Sequence, residues 1–152
     1  MKAVYKWWAT LVFVGIVVQI GLAGYGAFYV VGKTDNGGTV DEDTVSKGFD
    51  PHVAWGYLVV GLSTLILLVI GLIAGYGRWR LGRHGLLFAL FVLQVALAIG
   101  GYGAAAIGFF HPLNAVVMLG VSGSLVYSVW RGELARAEPA PTAPEPTPAT
   151  PA

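Results

Sequence analysis

The chain contains no cysteine, which excludes disulfide bonds, thiolate metal sites and a cysteine nucleophile. Charged residues are also scarce, at 11% of 152 residues, and the net charge of +1 argues against a nucleic-acid partner. The sequence has no Gly-rich phosphate-binding loop, no HExxH zinc motif and no sequence motif of a Ser-His-Asp catalytic triad. Its one acidic run, Asp41 to Asp43, lacks the spacing of an EF-hand loop and indicates a solvated loop.

Hydrophobic residues make up 56% of the chain, too many for a water-soluble domain of this size. Uncharged runs of roughly 20 residues are long enough to cross hydrocarbon, and these runs lack the alternation of barrel strands. The sequence therefore predicts an all-α integral membrane four-helix bundle over residues 1–131. The predicted spans are Trp7 to Val31, Pro51 to Tyr76, His84 to Phe109 and Pro112 to Trp130.

The basic residues are distributed unequally between the two ends of these spans. Lys33 and Lys47 fall at one end, and the other end holds Lys2, Lys6, Arg78, Arg80, Arg83, Arg131 and Arg136. Because basic residues accumulate on the cytoplasmic side, we expect a cell-membrane protein with both termini cytoplasmic. The segment Gly32 to Asp50 is then an acidic outer loop. Residues 132–152 are rich in Pro and Ala and predict a disordered cytoplasmic tail.

The spans also show a twofold pattern. The first and third each carry one glutamine near mid-membrane (Gln19, Gln94) followed by Gly-Tyr-Gly, and the second and fourth each open on a histidine. This pattern predicts two similar helical hairpins related by an axis along the membrane normal.

His52 and His111 are the most chemically informative residues. Each is predicted in the first turn of a span running from outside to inside, so both imidazoles should lie level near the outer edge, on helices that can lie diagonally in the bundle. Bis-histidine ligation of a heme needs that arrangement. The predicted pocket walls are small, and Tyr25 and Tyr102 should edge the pocket; the wall residues are Gly56, Ala115, Gly24 and Gly101.

Simpler interpretations compete with this one. Small residues are common wherever transmembrane helices pack closely. Asp50 and Pro51 are typical of a helix cap and first turn, which makes His52 an ordinary boundary residue, and His111-Pro112 also begins a helix. His84 is predicted at the opposite, headgroup end. Gln19 and Gln94 are predicted to bond between helices, too deep to reach the histidines.

At "FDPHVAWGYL" and "HPLNAVVMLG" the chain resembles a single four-helix half-unit of the heme A synthase family, and also small uncharacterised four-helix membrane proteins. The resemblance covers Trp7 to Trp130 and implies heme ligation by His52 and His111. The synthase motif has a carboxylate three residues before the first histidine and an arginine directly after it. Phe49 and Val53 stand there instead, so the resemblance does not extend to synthase activity.

Three hypotheses follow from the sequence. The first is a b-type cytochrome-like protein binding one heme near the outer leaflet, in electron transfer, heme handling or heme sensing, with a redox partner. The second is a non-enzymatic accessory protein that packs with itself, as a homo-oligomer, or with a larger membrane complex. The third is a metal- or proton-linked transport component using the same histidines.

Overall fold

The computed structural model describes residues 2–74 and 77–137, and this part of the chain is helical without any strand. Four helical spans are long and apolar enough to cross a membrane, as in an integral membrane protein. The first is α1 (Lys2–Asp35), and the second joins α2 (Glu42–Trp55), a π-helical segment (Gly56–Gly61) and α3 (Leu62–Ile73). The third is α4 (Arg78–Gly103), and the fourth joins α5 (Ala105–Gly108) and α6 (Phe110–Ala137).

The second span begins earlier than the sequence predicts. Asp41, not Asp50, is the N-cap of α2, and its carboxylate accepts hydrogen bonds from the backbone N–H and the hydroxyl of Thr44, at 2.8 and 2.6 Å. These bonds hold the pKa of Asp41 below its ordinary value. Pro51 lies inside the helix, not in its first turn. His52 is therefore well inside the span.

The turn between the third and fourth spans also differs from the prediction. The chain reverses at Ala104, whose extended backbone (φ −151°, ψ 112°) ends α4, and not at Phe110–Pro112. A Cβ on Gly101 would lie 2.9 Å from the Cα of Gly108, so the backbone at the end of α4 is in direct contact with the backbone of α5. Close packing of glycines thus places the reversal before His111 and draws that histidine into the bundle.

Other predicted ends are displaced as well, and α1 (Lys2–Asp35) extends beyond the predicted Trp7 to Val31 on both sides. The third span begins at Arg78 instead of His84, since its first arginines continue the helix beyond the apolar run. The fourth span continues past Trp130 to Ala137, into the segment predicted as a disordered tail. The rest of that predicted tail, residues 138–152, and the predicted end of the second span at Tyr76 lie outside the described residues.

The spans form a closed ring. α1 packs against α2, α3 and α6, and α4 packs against α3 and α6, while no Cα atoms of α2 and α6 come within 8 Å of one another. The second and fourth spans are therefore diagonal neighbours. Apolar side chains fill the centre of the ring, and the most buried are Tyr5, Ala9, Val12, Ile16, Val60, Leu67, Leu87, Met118 and Leu125.

His84 belongs to this packed interior and does not face the headgroups. Its side chain is only 1% exposed, and its Nε2 lies 2.9 Å from the hydroxyl of Tyr5. The imidazole lies against Gly71, where a Cβ would overlap it. The expectation of a headgroup-facing histidine is wrong because α4 begins before His84 and turns that residue toward α1 and α3.

Candidate functional site

His52 and His111 face each other across the middle of the bundle. Their ring centroids are 6.1 Å apart, with an angle of 61° between the ring planes. Each imidazole is half-buried, and the two come from diagonal spans. Of the three histidines, the structure thus brings together the two that the sequence pairs.

Two contacts with α1 fix the orientation of His52. Its Nδ1 lies 3.1 Å from the backbone carbonyl oxygen of Gln19, and its Nε2 lies 3.1 Å from the side-chain Nε2 of the same residue. A carbonyl only accepts hydrogen bonds, so Nδ1 carries the proton and Nε2 accepts from the amide. The imidazole is therefore in the Nδ1–H tautomer, and its Nε2 lone pair points at the side-chain amide of Gln19.

His111 is held in the same way by the third span. Its Nδ1 donates to the backbone carbonyl of Gln94 at 3.0 Å, which leaves Nε2 as the acceptor nitrogen. The side chain of Gln94 does not bond the imidazole; its Oε1 accepts from Asn114 at 2.7 Å, and Asn114 also donates to the carbonyl of Leu90 at 2.9 Å. Within the described residues, Nε2 of His111 has no hydrogen-bond partner.

Both glutamines therefore contact the histidines, contrary to the prediction. That prediction counted about 25 Å of helix between Gln94 and His111 at 1.5 Å per residue. The reversal at Ala104 brings the chain back down, so that His111 lies level with Gln94. Similarly, His52 lies level with Gln19, midway along α1. The pair lies level with the middle of α1, while His52 and His111 each lie in the first half of their own spans.

A cavity of about 140 Å³ lies beside the two histidines. Two residues predicted to form the pocket, Gly56 and Tyr102, line this cavity. Both glutamines line it as well, together with Val53, Tyr57, Phe91, Val95, Ala98 and Ile99. Ala115 lines a smaller adjoining cavity of about 40 Å³.

Three other predicted pocket residues lie elsewhere. Gly24 lines neither cavity, and a Cβ there would meet nothing within 4 Å. Gly101 packs against Gly108 in the reversal. Tyr25 is 52% exposed, and its ring packs against Tyr29 with centroids 5.9 Å apart. The Gly-Tyr-Gly segments therefore shape helix contacts and the reversal, and only Tyr102 reaches the site.

Sequence reasoning missed Asn114, Phe91 and the π-helical segment. Asn114 comes three residues after His111, a spacing that places both on one helix face, and this signal was available in the sequence. The π-helical turn begins at Gly56, four residues after His52, and such turns are frequent at functional sites. A Cβ on Gly56 would lie 2.8 Å from the Gln19 amide, so glycine is what allows α1 to approach here.

In both imidazoles Nδ1 faces a backbone carbonyl, which leaves Nε2 as the candidate ligand nitrogen; in His52 that Nε2 accepts from the Gln19 amide. Histidines that bind metals commonly donate their other N–H to a backbone carbonyl, as both do here. Among the described residues, no three His, Asp or Glu side chains are grouped to hold a metal ion. Zinc sites use three or four protein ligands.

Residues 42–103 match the model of a family of unknown function, DUF6220. The match runs from the start of α2 to the end of α4, and so includes His52 and Gln94 but neither Gln19 nor His111. No curated protein and no solved structure matches the chain.

Proposed function

We propose that this protein is a small membrane b-type cytochrome-like protein that binds one heme through His52 and His111. The observation that carries the proposal is the matched pair of imidazoles, each held by a backbone carbonyl through Nδ1 so that Nε2 is the ligating nitrogen. Two histidines fill both axial positions of the iron and leave none for oxygen. Electron transfer, heme handling and heme sensing are the roles consistent with that ligation.

The separation of the rings fits this ligation. Two imidazoles on opposite faces of one metal ion, each at a metal–nitrogen distance of about 2.0 Å, have centroids roughly 6 Å apart. The centroids of His52 and His111 are 6.1 Å apart. The amide of Gln19 must turn away from Nε2 of His52 for ligation. Its Oε1 is buried without a hydrogen-bond partner, so the present position of that amide is not fully satisfied and is readily given up.

A heme would need more room than the cavity itself encloses. The cavity volume of about 140 Å³ is below the range of about 300–1,000 Å³ for pockets that enclose a drug-sized ligand. However, no Cα atoms of α2 and α4 lie within 8 Å of one another, so these two helices are not in close backbone contact. Tyr102, which lines the cavity, is 89% exposed. A group larger than the cavity can extend outward between the two helices.

Orientation and symmetry belong to the same proposal. The basic ends of α4 and α6 are cytoplasmic, which puts both termini inside the cell and the Glu42 end of α2 outside. The equivalent bonds from His52 to Gln19 and from His111 to Gln94 support two hairpins of common design. The heme would then lie level with Gln19 and Gln94, on the outer-leaflet side of the packed core.

A second candidate function, helix packing with a larger membrane complex, has its own support. Gly26 and Gly48 bring α1 and α2 into backbone contact, and Gly101 and Gly108 do so in the reversal. These glycines serve packing, as the alternative interpretation of small residues requires. They account for the helix contacts but not for the two oriented imidazoles.

The absorption spectrum of the protein purified from heme-replete cells tests the first function. We expect a Soret band with sharp α and β bands on reduction, and their loss in both His52→Gly and His111→Gly. Added imidazole should restore the bands in either glycine variant, because a free imidazole can occupy the vacated space and supply the lost ligand. A variant that had merely misfolded would not respond.

His84→Gln is the matched control, since His84 lies at the other end of the bundle and should leave the spectrum unchanged. A folded but colourless protein after heme supplementation would overturn the proposal. Loss of the bands in only one of the two glycine variants would contradict bis-histidine ligation. Retention of heme in both glycine variants without imidazole would place the heme elsewhere.

A further inference from the structure

The side-chain amide of Gln19 occupies the nitrogen that His52 would give to a heme iron. Its Nε2 lies 3.1 Å from Nε2 of His52, and its Oε1 is buried without a hydrogen-bond partner. The amide lies directly against Gly56, where a Cβ would come within 2.8 Å of the amide nitrogen. One end of the amide is therefore satisfied in this position and the other end is not, which costs free energy in an apolar interior.

A second cavity, of about 40 Å³, adjoins the histidine cavity on the side of the apolar core. Gln19 and Gln94 line both cavities and bring polar groups to this one. Apolar residues from all four spans complete its wall, among them Ile16, Val60, Phe91 and Met118. One water molecule needs roughly 10–15 Å³, and a terminal amide atom is about the size of a water. The cavity therefore has room for one end of the Gln19 amide.

Gln94 can accept a hydrogen bond from the Gln19 amide in that cavity. Oε1 of Gln94 accepts from Asn114 at 2.7 Å, and an amide oxygen has a second lone pair for another donor. Because both glutamines line the same small cavity, the Gln19 amide can reach it by rotation of its own side chain. No helix has to move for this exchange.

We propose that Gln19 is a two-position gate for the ligand nitrogen of His52. In the heme-free protein its amide donates to Nε2 of His52. When His52 gives that nitrogen to a heme iron, the amide turns into the small cavity and donates to Oε1 of Gln94. One hydrogen bond replaces another and no proton is transferred, so the bond to His52 does not oppose ligation. The two hairpins are joined through their glutamines only in the heme-bound state, and this inference rests on the heme ligation proposed above.

A double-mutant cycle on hemin affinity tests the exchange. Hemin is titrated at the Soret band into the full-length, heme-free protein in detergent for wild type, Gln19→Leu, Gln94→Leu and the double variant. Gln94→Leu removes the receiving oxygen and should lower hemin affinity about fivefold more when Gln19 is present than in the Gln19→Leu background, the factor that one net hydrogen bond contributes. An effect through Asn114 is the same in both backgrounds and cancels in the cycle.

Filling the small cavity tests whether the amide needs that space. Ala115→Val narrows the cavity and should lower hemin affinity, and adding Gln19→Ala should restore it, since no amide then has to turn. Ala96→Val is the matched control, because it adds the same volume at an exposed position of α4 outside both cavities. It should leave hemin affinity unchanged. Failure of Gln19→Ala to restore affinity would contradict the proposed movement.

Histidine ¹⁵N NMR reads the first position of the gate without heme. In protein labelled at histidine, the unprotonated Nε2 of His52 should move to lower field in Gln19→Leu, because it loses the hydrogen bond from the amide. The Nε2 resonance of His111 should stay in place. An unmoved His52 resonance, or equal effects of Gln94→Leu on hemin affinity in both backgrounds, would overturn the gate while leaving heme ligation standing. A protein that binds no hemin would overturn both proposals.

Discussion

The two mid-membrane glutamines do different work, although they occupy equivalent places in the sequence. Gln19 uses its carbonyl for Nδ1 of His52 and its amide for Nε2 of the same ring. Gln94 uses its carbonyl for His111 but its side-chain oxygen for Asn114. Only the Gln19 side chain competes with a ligand for a histidine nitrogen.

Leucine at each position should separate these roles. Gln19→Leu removes a hydrogen bond worth about 1 kcal/mol from Nε2 of His52 and should leave heme affinity unchanged or raise it up to about fivefold. Gln94→Leu takes away a partner of the buried Asn114 amide and should lower stability by about 1–3 kcal/mol. Heme titration at the Soret band and thermal unfolding measure the two effects. Loss of heme from Gln19→Leu with unchanged stability would show that the bound state needs this amide.

At this scale the sequence predicts the histidine pair but not its environment. Residue type and spacing single out His52 and His111, because two similar motifs each contain one. The partners of these rings are set by backbone atoms of Gln19 and Gln94, and a backbone carbonyl has no signature in the sequence. The burial of His84 was also unpredictable, since it depends on the approach of Gly71 and Tyr5 from other spans.

The packing of α1 against α2 is close enough that one added methyl group at Gly26 would not fit. A Cβ on Gly26 would lie 2.8 Å from the carbonyl oxygen of Gly48 and 2.8 Å from the ring of Phe49. Gly26→Ala should therefore force the helices apart and lower stability by about 1–3 kcal/mol. Gly24→Ala, two residues away with nothing within 4 Å, should be neutral or stabilise by up to about 1 kcal/mol. Equal melting temperatures for the two variants would show that this crossing is not tightly packed.

The number and class of elements follow from composition, whereas their ends do not. Four apolar runs predict the four spans, because only helices satisfy backbone groups in lipid when no barrel pattern exists. Asp50 and Pro51 are residue types typical of a helix start. However, α2 begins at Glu42, where the Asp41 carboxylate accepts hydrogen bonds from Thr44, and Pro51 lies inside the helix. The reversal at Ala104 depends on contact between Gly101 and Gly108, which no local pattern reveals.

At the scale of the whole molecule, the bundle has a closed half and a divergent half. Toward the basic end, α1, α3, α4 and α6 share a continuous apolar core, and toward the other end α2 packs against α1 but not against α4 or α6. The histidines lie where the closed half gives way to the divergent half. The candidate site adjoins the apolar core, since Ile16, Val60 and Met118 of that core line the smaller cavity beside it.

The concentration of arginines at one end of the bundle predicts which end is cytoplasmic. Because the chain has no cysteine, this prediction can be tested with single introduced cysteines. Arg78, Arg80, Arg83 and Arg131 cluster at one end, and crossing the membrane with such a cluster is costly, so this end should stay in the cytoplasm. Single cysteines at exposed positions of opposite loops, Thr39→Cys and Gly77→Cys, have no background thiol to compete. A membrane-impermeant maleimide should label Thr39→Cys on intact cells and Gly77→Cys only after permeabilisation. The reverse pattern would invert the proposed orientation.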